Sequence, residues 1–137
     1  MKSKKFINLL RYEVVKMSNR AKASHLASAL SCIDIIATLY FGIMNLSLKS
    51  YKNFNRDRFI LSKGHAATAL YAVLAYKGII NKKDLLSYGK KNSLLEEHPN
   101  PKLKGVEAAT GSLGHGLSIG CGMALGSKIN KKNYFTF

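Results

Sequence analysis

Asp57-Arg58-Phe59-Ile60-Leu61-Ser62 is a short apolar run closed on both sides by polar residues. Its length suits one buried strand rather than a helix. Lys63-Gly64-His65 turns the chain at once, and Ala66 to Lys77 is rich in helix formers and stops at Gly78, as a C-cap does. A strand leading through a tight turn into a helix is the building unit of layered α/β architectures. This unit constrains the chain more than any other stretch.

The flanking segments fit around it. Phe6, Leu9, Leu10, Val14 and Met17 recur at helical spacing and predict an amphipathic helix over residues 5–18. Residues 19–30 are small and polar and read as a close-packed connector. Ser31 and Asp34 have the spacing of a capping box, opening a helix to about Asn45 that buries Ile35, Ile36, Leu39, Tyr40 and Ile43. A polar loop follows over residues 47–56. Asn81 and Asp84 cap a short helix through Tyr88, and residues 89–112, with Pro99, Pro101 and Gly105, are irregular. Leu113 to Ile129 read as a glycine-dotted helix, and Tyr134-Phe135-Thr136-Phe137 alternates like the start of a second strand. A parallel sheet needs several strands covered on both faces. The expected fold class is therefore α/β, the start of a parallel sheet flanked by helices, which makes the chain the front end of such a domain.

Composition narrows the class further. The chain has 137 residues, enough for one domain, and 47% are hydrophobic, which excludes a chain kept disordered by charge. Polar breaks interrupt the apolar stretches before they reach the roughly 18 residues of a membrane span, so no membrane partner is expected. Asn8, Arg11 and Glu13 interrupt the N-terminal segment before it forms a secretory core. Cys32 and Cys121 have no metal-ligand spacing and are too few for a disulfide framework, so a cytoplasmic setting is expected. The net charge of +15 suggests phosphate binding, but 18 of the 22 basic residues are lysines scattered through expected loops and only four are arginines. Arginine is the better reader of phosphate and guanine, so a solvated basic surface with no nucleic-acid partner is expected.

Chemistry has few places to sit. His65 follows the first strand, where ligands bind in open α/β sheets; capping of the next helix is the other reading of that imidazole. Gly111-Ser112-Leu113-Gly114-His115-Gly116 opens a helix, where backbone can approach a ligand and free N–H groups are available. It has neither the Walker spacing nor a dinucleotide fingerprint. Gly120, Gly122, Ala124, Gly126 and Ser127 extend the small residues into the helix and suit close packing. His25 and His98 either line a cleft or lie on the surface. Glu96 and Glu97 are adjacent and point apart on an extended chain, so paired-carboxylate chemistry has no support.

Asp57-Arg58-Phe59-Ile60-Leu61-Ser62-Lys63-Gly64-His65-Ala66, then Glu97-His98-Pro99, then Gly105 through Ser118 together closely resemble the N-terminal domain of transketolases. The similarity runs from near residue 10 to Phe137, so residues 1–137 are read as the N-terminal part of such a domain. It is nearest to the split bacterial type, whose two portions are separate polypeptides. The resemblance implies a thiamine diphosphate-binding fold and transfer of two-carbon ketol units between sugar phosphates, in the pentose phosphate pathway. It implies that His65 lies near the cofactor diphosphate, that Gly111, Ser112 and Leu113 lie against its aminopyrimidine, and that His25 and His98 line the substrate channel, with His25 also catalytic. Its partners would be sugar phosphates and a C-terminal transketolase subunit or second protomer.

Some residues depart from the family. Ala23-Ser24-His25-Leu26-Ala27 stands where Ser-Gly-His-x-Gly is usual, and His115 where glutamine is usual. His25-Leu26-Ala27-Ser28 is closer to deoxyxylulose-phosphate synthase, although that sister enzyme lacks the other motifs. The Gly-Asp-Gly and downstream Asn that bind Mg²⁺ in the family are absent from the 137 residues, as is the glutamate that activates the aminopyrimidine. The expectation is a chain that holds part of the site and is inactive alone, either the N-terminal part of a transketolase or a non-catalytic remnant or interaction module that pairs with such subunits.

Overall fold

The computed structural model describes residues 3–46 and 53–137. Four α-helices dominate: α1 over Lys4–Ala21, α2 over Leu26–Thr38, α3 over Ala67–Lys77 and α4 over His115–Ile129. Short 3₁₀ turns occupy Gly64–Ala66 and Lys82–Ser87, and a π-helical turn, Leu39–Ile43, prolongs α2.

Helices α1, α2 and α3 pack on one another and make the core. Leu10, Val14 and Met17 of α1 are fully buried, as are Ala29 and Ile33 of α2. Helix α3 is buried from Ala67 to Ala75, so it has no polar face and lies at the centre. Gly78 ends it in the left-handed conformation at φ 82°, as its C-cap position predicts.

The helix boundaries correct several expectations. The stretch read as a connector is mostly helical: α1 runs on to Ala21 and α2 starts at Leu26, leaving residues 22–25 as the link. Ser31 and Asp34 therefore lie inside α2 and form no capping box. Ser31 Oγ instead donates to the Ser28 carbonyl at 2.9 Å, and Asp34 pairs with Arg11 of α1. Helical propensity in Leu26-Ala27-Ser28-Ala29-Leu30 outweighs the local capping option. Asn81 and Asp84 do form a capping box, on a 3₁₀ turn rather than an α-helix. Together α2 and the π turn make an 18-residue helical path, Leu26–Ile43, apolar and long enough to meet a membrane-span criterion despite its polar breaks. Its Ala29, Ile33, Ile36 and Ala37 are buried in the core, and a soluble core helix meets the same criterion.

The expected strand at 57–62 is a second correction. Among the described residues there is no continuous strand, only one parallel bridge between Arg58 and Thr136. Three backbone hydrogen bonds make that joint: Arg58 N–H to Phe135 O at 2.8 Å, Phe137 N–H to Arg58 O at 2.9 Å and Ile60 N–H to Phe137 O at 2.9 Å. The alternating hydrogen bonding is that of a parallel pair. The pairing spans about three residues a side, too short to develop a ladder. The loop read at 47–56 lies partly outside the described residues.

Buried Asp57 fastens this joint. Its Oδ2 accepts the Asn45 N–H at 2.7 Å and its Oδ1 accepts the Phe135 N–H at 2.8 Å. Arg56 and Arg58 both reach Glu107, and Arg58 also stacks over Tyr134, 4.7 Å from the ring centre. Helix α4 rests on the same joint and not on the three-helix core. A Cβ on Gly116 would meet Ser62 Cα at 2.5 Å, so only glycine permits that approach, while Gly120 lies at ordinary distance from Thr136 and Ile60. Gly122 and Gly126 face open space, so the close packing expected of the whole small-residue run is confined to its first turns.

Candidate functional site

The site forms where the 57–62 segment ends. Gly64 sits so close to the following loop that a Cβ there would lie 2.5 Å from the Thr110 carbonyl oxygen. Thr110 Oγ1 donates to the Leu61 carbonyl at 2.6 Å, a buried bond that pins the loop carrying Gly111 to the turn carrying His65. Tyr71, fully buried on α3, places its hydroxyl 3.0 Å from the Glu96 carbonyl and 3.1 Å from that of His98. Burial pushes its phenol well above the ordinary value, with neighbouring Tyr88 adding to the shift, so it stays a donor. The core thus fixes the backbone of the His98 loop.

Three imidazoles converge here. His25 lies at the N-cap of α2 with φ 69°, a left-handed conformation in which a non-glycine residue is uncommon. Its ring centre is 4.8 Å from that of His65. The His98 ring faces Gly111, where a Cβ would come within 3.4 Å of it. His65 feels the charges of His25, Lys63 and His98, and its Nε2 lies 3.0 Å from Ser28 Oγ. Desolvation first, and then those three neighbours, hold the His65 pKa below its ordinary 6.5. Ser112 and Leu113 follow Gly111 on the open side and are exposed, Leu113 at 70%. His115, at the start of α4, is exposed and takes no part in this cluster.

The structure therefore brings His25, His65, His98 and Gly111 together, with Ser112 and Leu113 beside them. Sequence reasoning missed Ser28, Lys63, Thr110 and Asp57. Ser28 had a usable signal, since it lies three residues after His25 on what proves to be one helix. Thr110 and Asp57 act through buried bonds to distant backbone, which no local pattern reports. Among the described residues no group of three or more His, Cys, Asp and Glu side chains could hold a metal ion.

Histidines gathered at the end of an extended segment, with an open glycine loop beside them, define a site for an anionic cofactor at the edge of an α/β layer. The particular family follows from comparison: residues 2–136 match the family described as transketolase, thiamine diphosphate binding domain, and the chain belongs to it. One of the two subunits of apulose-4-phosphate transketolase from Phocaeicola vulgatus is 42% identical over 127 residues, covering 93% of this chain and 45% of that protein. Human transketolase is 41% identical over 128 residues, covering 93% of this chain and 20% of its own length. Among solved structures, transketolase from Leishmania mexicana superposes with a TM-score of 0.84 at 28% identity, over 91% of this chain and 19% of that one. Transketolase from Pichia stipitis, in complex with sedoheptulose-7-phosphate, superposes with a TM-score of 0.77 at 32% identity, over 88% of this chain and 18% of that one. The chain spans less than half the length of these relatives. The likeness supports the thiamine diphosphate-binding α/β fold, of which the described residues carry the helices and a single parallel bridge.

Proposed function

We propose that this chain provides one wall of a transketolase active site, transferring two-carbon ketol units between sugar phosphates when a C-terminal transketolase subunit or second protomer supplies the rest. The observation that carries this reading is the convergence of His25, His65 and His98 on Gly111, within a chain that matches the family from residue 2 to 136. The donor set suits thiamine diphosphate. The charged groups acting on His65 are two imidazoles and an ammonium, which favour an anion, and the exposed Gly111–Leu113 backbone leaves room for a flat ring.

In this arrangement His65 donates to a diphosphate oxygen, and Gly111, Ser112 and Leu113 carry the aminopyrimidine. His25 and His98 donate to sugar oxygens, and His25 steadies alkoxide charge as it develops. The cofactor, when bound, supplies carbanion stabilisation through its thiazolium ring. Mg²⁺, a hard cation that needs several oxygen ligands, would be held by residues outside the described ones. The setting we propose is cytoplasmic, in the pentose phosphate pathway, with neither membrane nor nucleic acid as partner.

The exposed apolar residues of α4, Leu117, Leu125 and Ile129, support a second reading, a non-catalytic module that pairs with transketolase-like subunits. One assay separates the two. The full chain is given thiamine diphosphate, Mg²⁺ and fructose-6-phosphate as donor, alone and with a transketolase chain that supplies the remainder of the domain. We expect no turnover alone and turnover on complementation, with His65→Ala weakening cofactor binding more than His98→Ala. Turnover by the chain alone overturns the partner requirement, and association without turnover selects the second reading.

A further inference from the structure

His65 has one hydrogen-bond partner among the described residues, Ser28, and Ser28 Oγ has none besides His65 Nε2 at 3.0 Å. Ser28 is the third residue of α2, and the nearest helical carbonyl behind it, that of His25, already receives the Ala29 N–H. One turn further on, Ser31 Oγ donates to the Ser28 carbonyl at 2.9 Å and accepts from Lys63 Nζ at 2.8 Å. Two serines on one face of α2 thus hold two residues of the turn before α3, Lys63 and His65. A hydroxyl must place its hydrogen on an acceptor, and a neutral imidazole offers one N–H and one lone pair.

We propose that Ser28 is a positioning residue that donates its hydroxyl hydrogen to His65 Nε2, thereby fixing the ring proton on Nδ1 as the donor available to an anionic oxygen. The surroundings keep the ring in that neutral form. The groups that face it are His25 from the start of α2, Lys63 from its own turn and His98 from the loop after Leu95, and each opposes a second proton. Lys63 is kept in place for this by Ser31, so the brace sets both proton position and proton count. Only the identity of the oxygen rests on the thiamine diphosphate reading; the tautomer does not.

The test is long-range ¹H–¹⁵N spectroscopy of the histidine-labelled full chain above pH 7, with inorganic pyrophosphate as the anion probe. The expected result is an Nδ1–H ring at His65 whose signal moves on adding pyrophosphate. Ser28→Ala returns the ring to the Nε2–H form that free imidazole favours, and Ser28→Thr, which keeps the hydroxyl, restores Nδ1–H. Lys63→Met raises the pH at which the ring takes its second proton without moving the first. An Nε2–H ring in the unaltered chain, or an unchanged tautomer in Ser28→Ala with Ser28→Thr folded alongside, overturns the assignment whatever the site binds. An Nδ1–H ring in a chain that responds to pyrophosphate but not to thiamine diphosphate sustains the Ser28 assignment and removes the cofactor reading alone.

Discussion

Helices α3 and α4 are both built largely from small and apolar residues, yet one is the centre of the molecule and the other lies at its margin. Every residue of α3 from Ala67 to Ala75 is buried. In α4 only Gly116 and Ser127 are, while Leu117 is 72% exposed and Ile129 70%. Hydrophobicity alone did not separate them. Helix α3 meets α1 and α2 across its whole circumference, whereas α4 meets only the narrow joint between residues 57–62 and 134–137. An apolar helix is placed by the surfaces available to it, and α4 keeps its glycine approach at Gly116 while most of its leucines face outward.

The comparison can be broken by mutation. Leu74→Ala in α3 should cost about 2–5 kcal/mol through lost burial and a residual cavity, whereas Leu125→Ala in α4 should fall within about 0.5 kcal/mol in the chain alone. Urea unfolding of both variants checks this, and equal losses would show that α4 is as well packed as α3. The glycines sharpen it next. Gly64→Ala collides with the Thr110 backbone and should destabilise by about 1–3 kcal/mol, while Gly122→Ala, which meets open space in a helix, should stabilise by about 1 kcal/mol. Thermal melts that rank these two in the opposite order would refute the placement of both glycines.

The smallest effect concerns pH. Because the His65 pKa is held below 6.5 in the folded chain, the unfolded chain binds that proton first. Stability is therefore fully present above about pH 6.5, declines as the pH falls below it and levels off once the folded-state pKa is passed. His65→Gln should flatten this part of the stability profile, measured by unfolding at a series of pH values. A slope that survives the substitution assigns the effect to His25 or His98.

Much of this was legible in the sequence for a physical reason. Periodic burial announced α1 through Leu10, Val14 and Met17, and Gly78 announced the end of α3. The three ordered motifs announced the family, because their residues are dictated by close approach: Gly64 to Thr110 and Gly111 to His98 leave no choice of side chain or very little. What stayed hidden depends on long-range competition. Ser31 and Asp34 looked like a helix start because the local option was real, and only the tertiary partners Lys63 and Arg11 show why they lie within one. The strand at 57–62 was read from composition, whereas a strand exists only to the extent that a neighbour pairs with it.

The Asp57–Phe135 hydrogen bond joins residues 78 positions apart. By the logarithmic law of loop closure, bringing such ends together costs about 4 kcal/mol beyond the constant term. Contacts among α1, α2 and α3 are closed over much shorter stretches and can form before this one. The molecule should therefore assemble in two stages, the three-helix core first and the parallel joint with α4 afterwards. Amide exchange would show the same order in reverse, with the N–H groups of Arg58, Ile60 and Phe137 losing protection before those within α3. The buried carboxylate of Asp57 is thus the latch of the last closure, and its removal should unfasten the margin while leaving the centre folded.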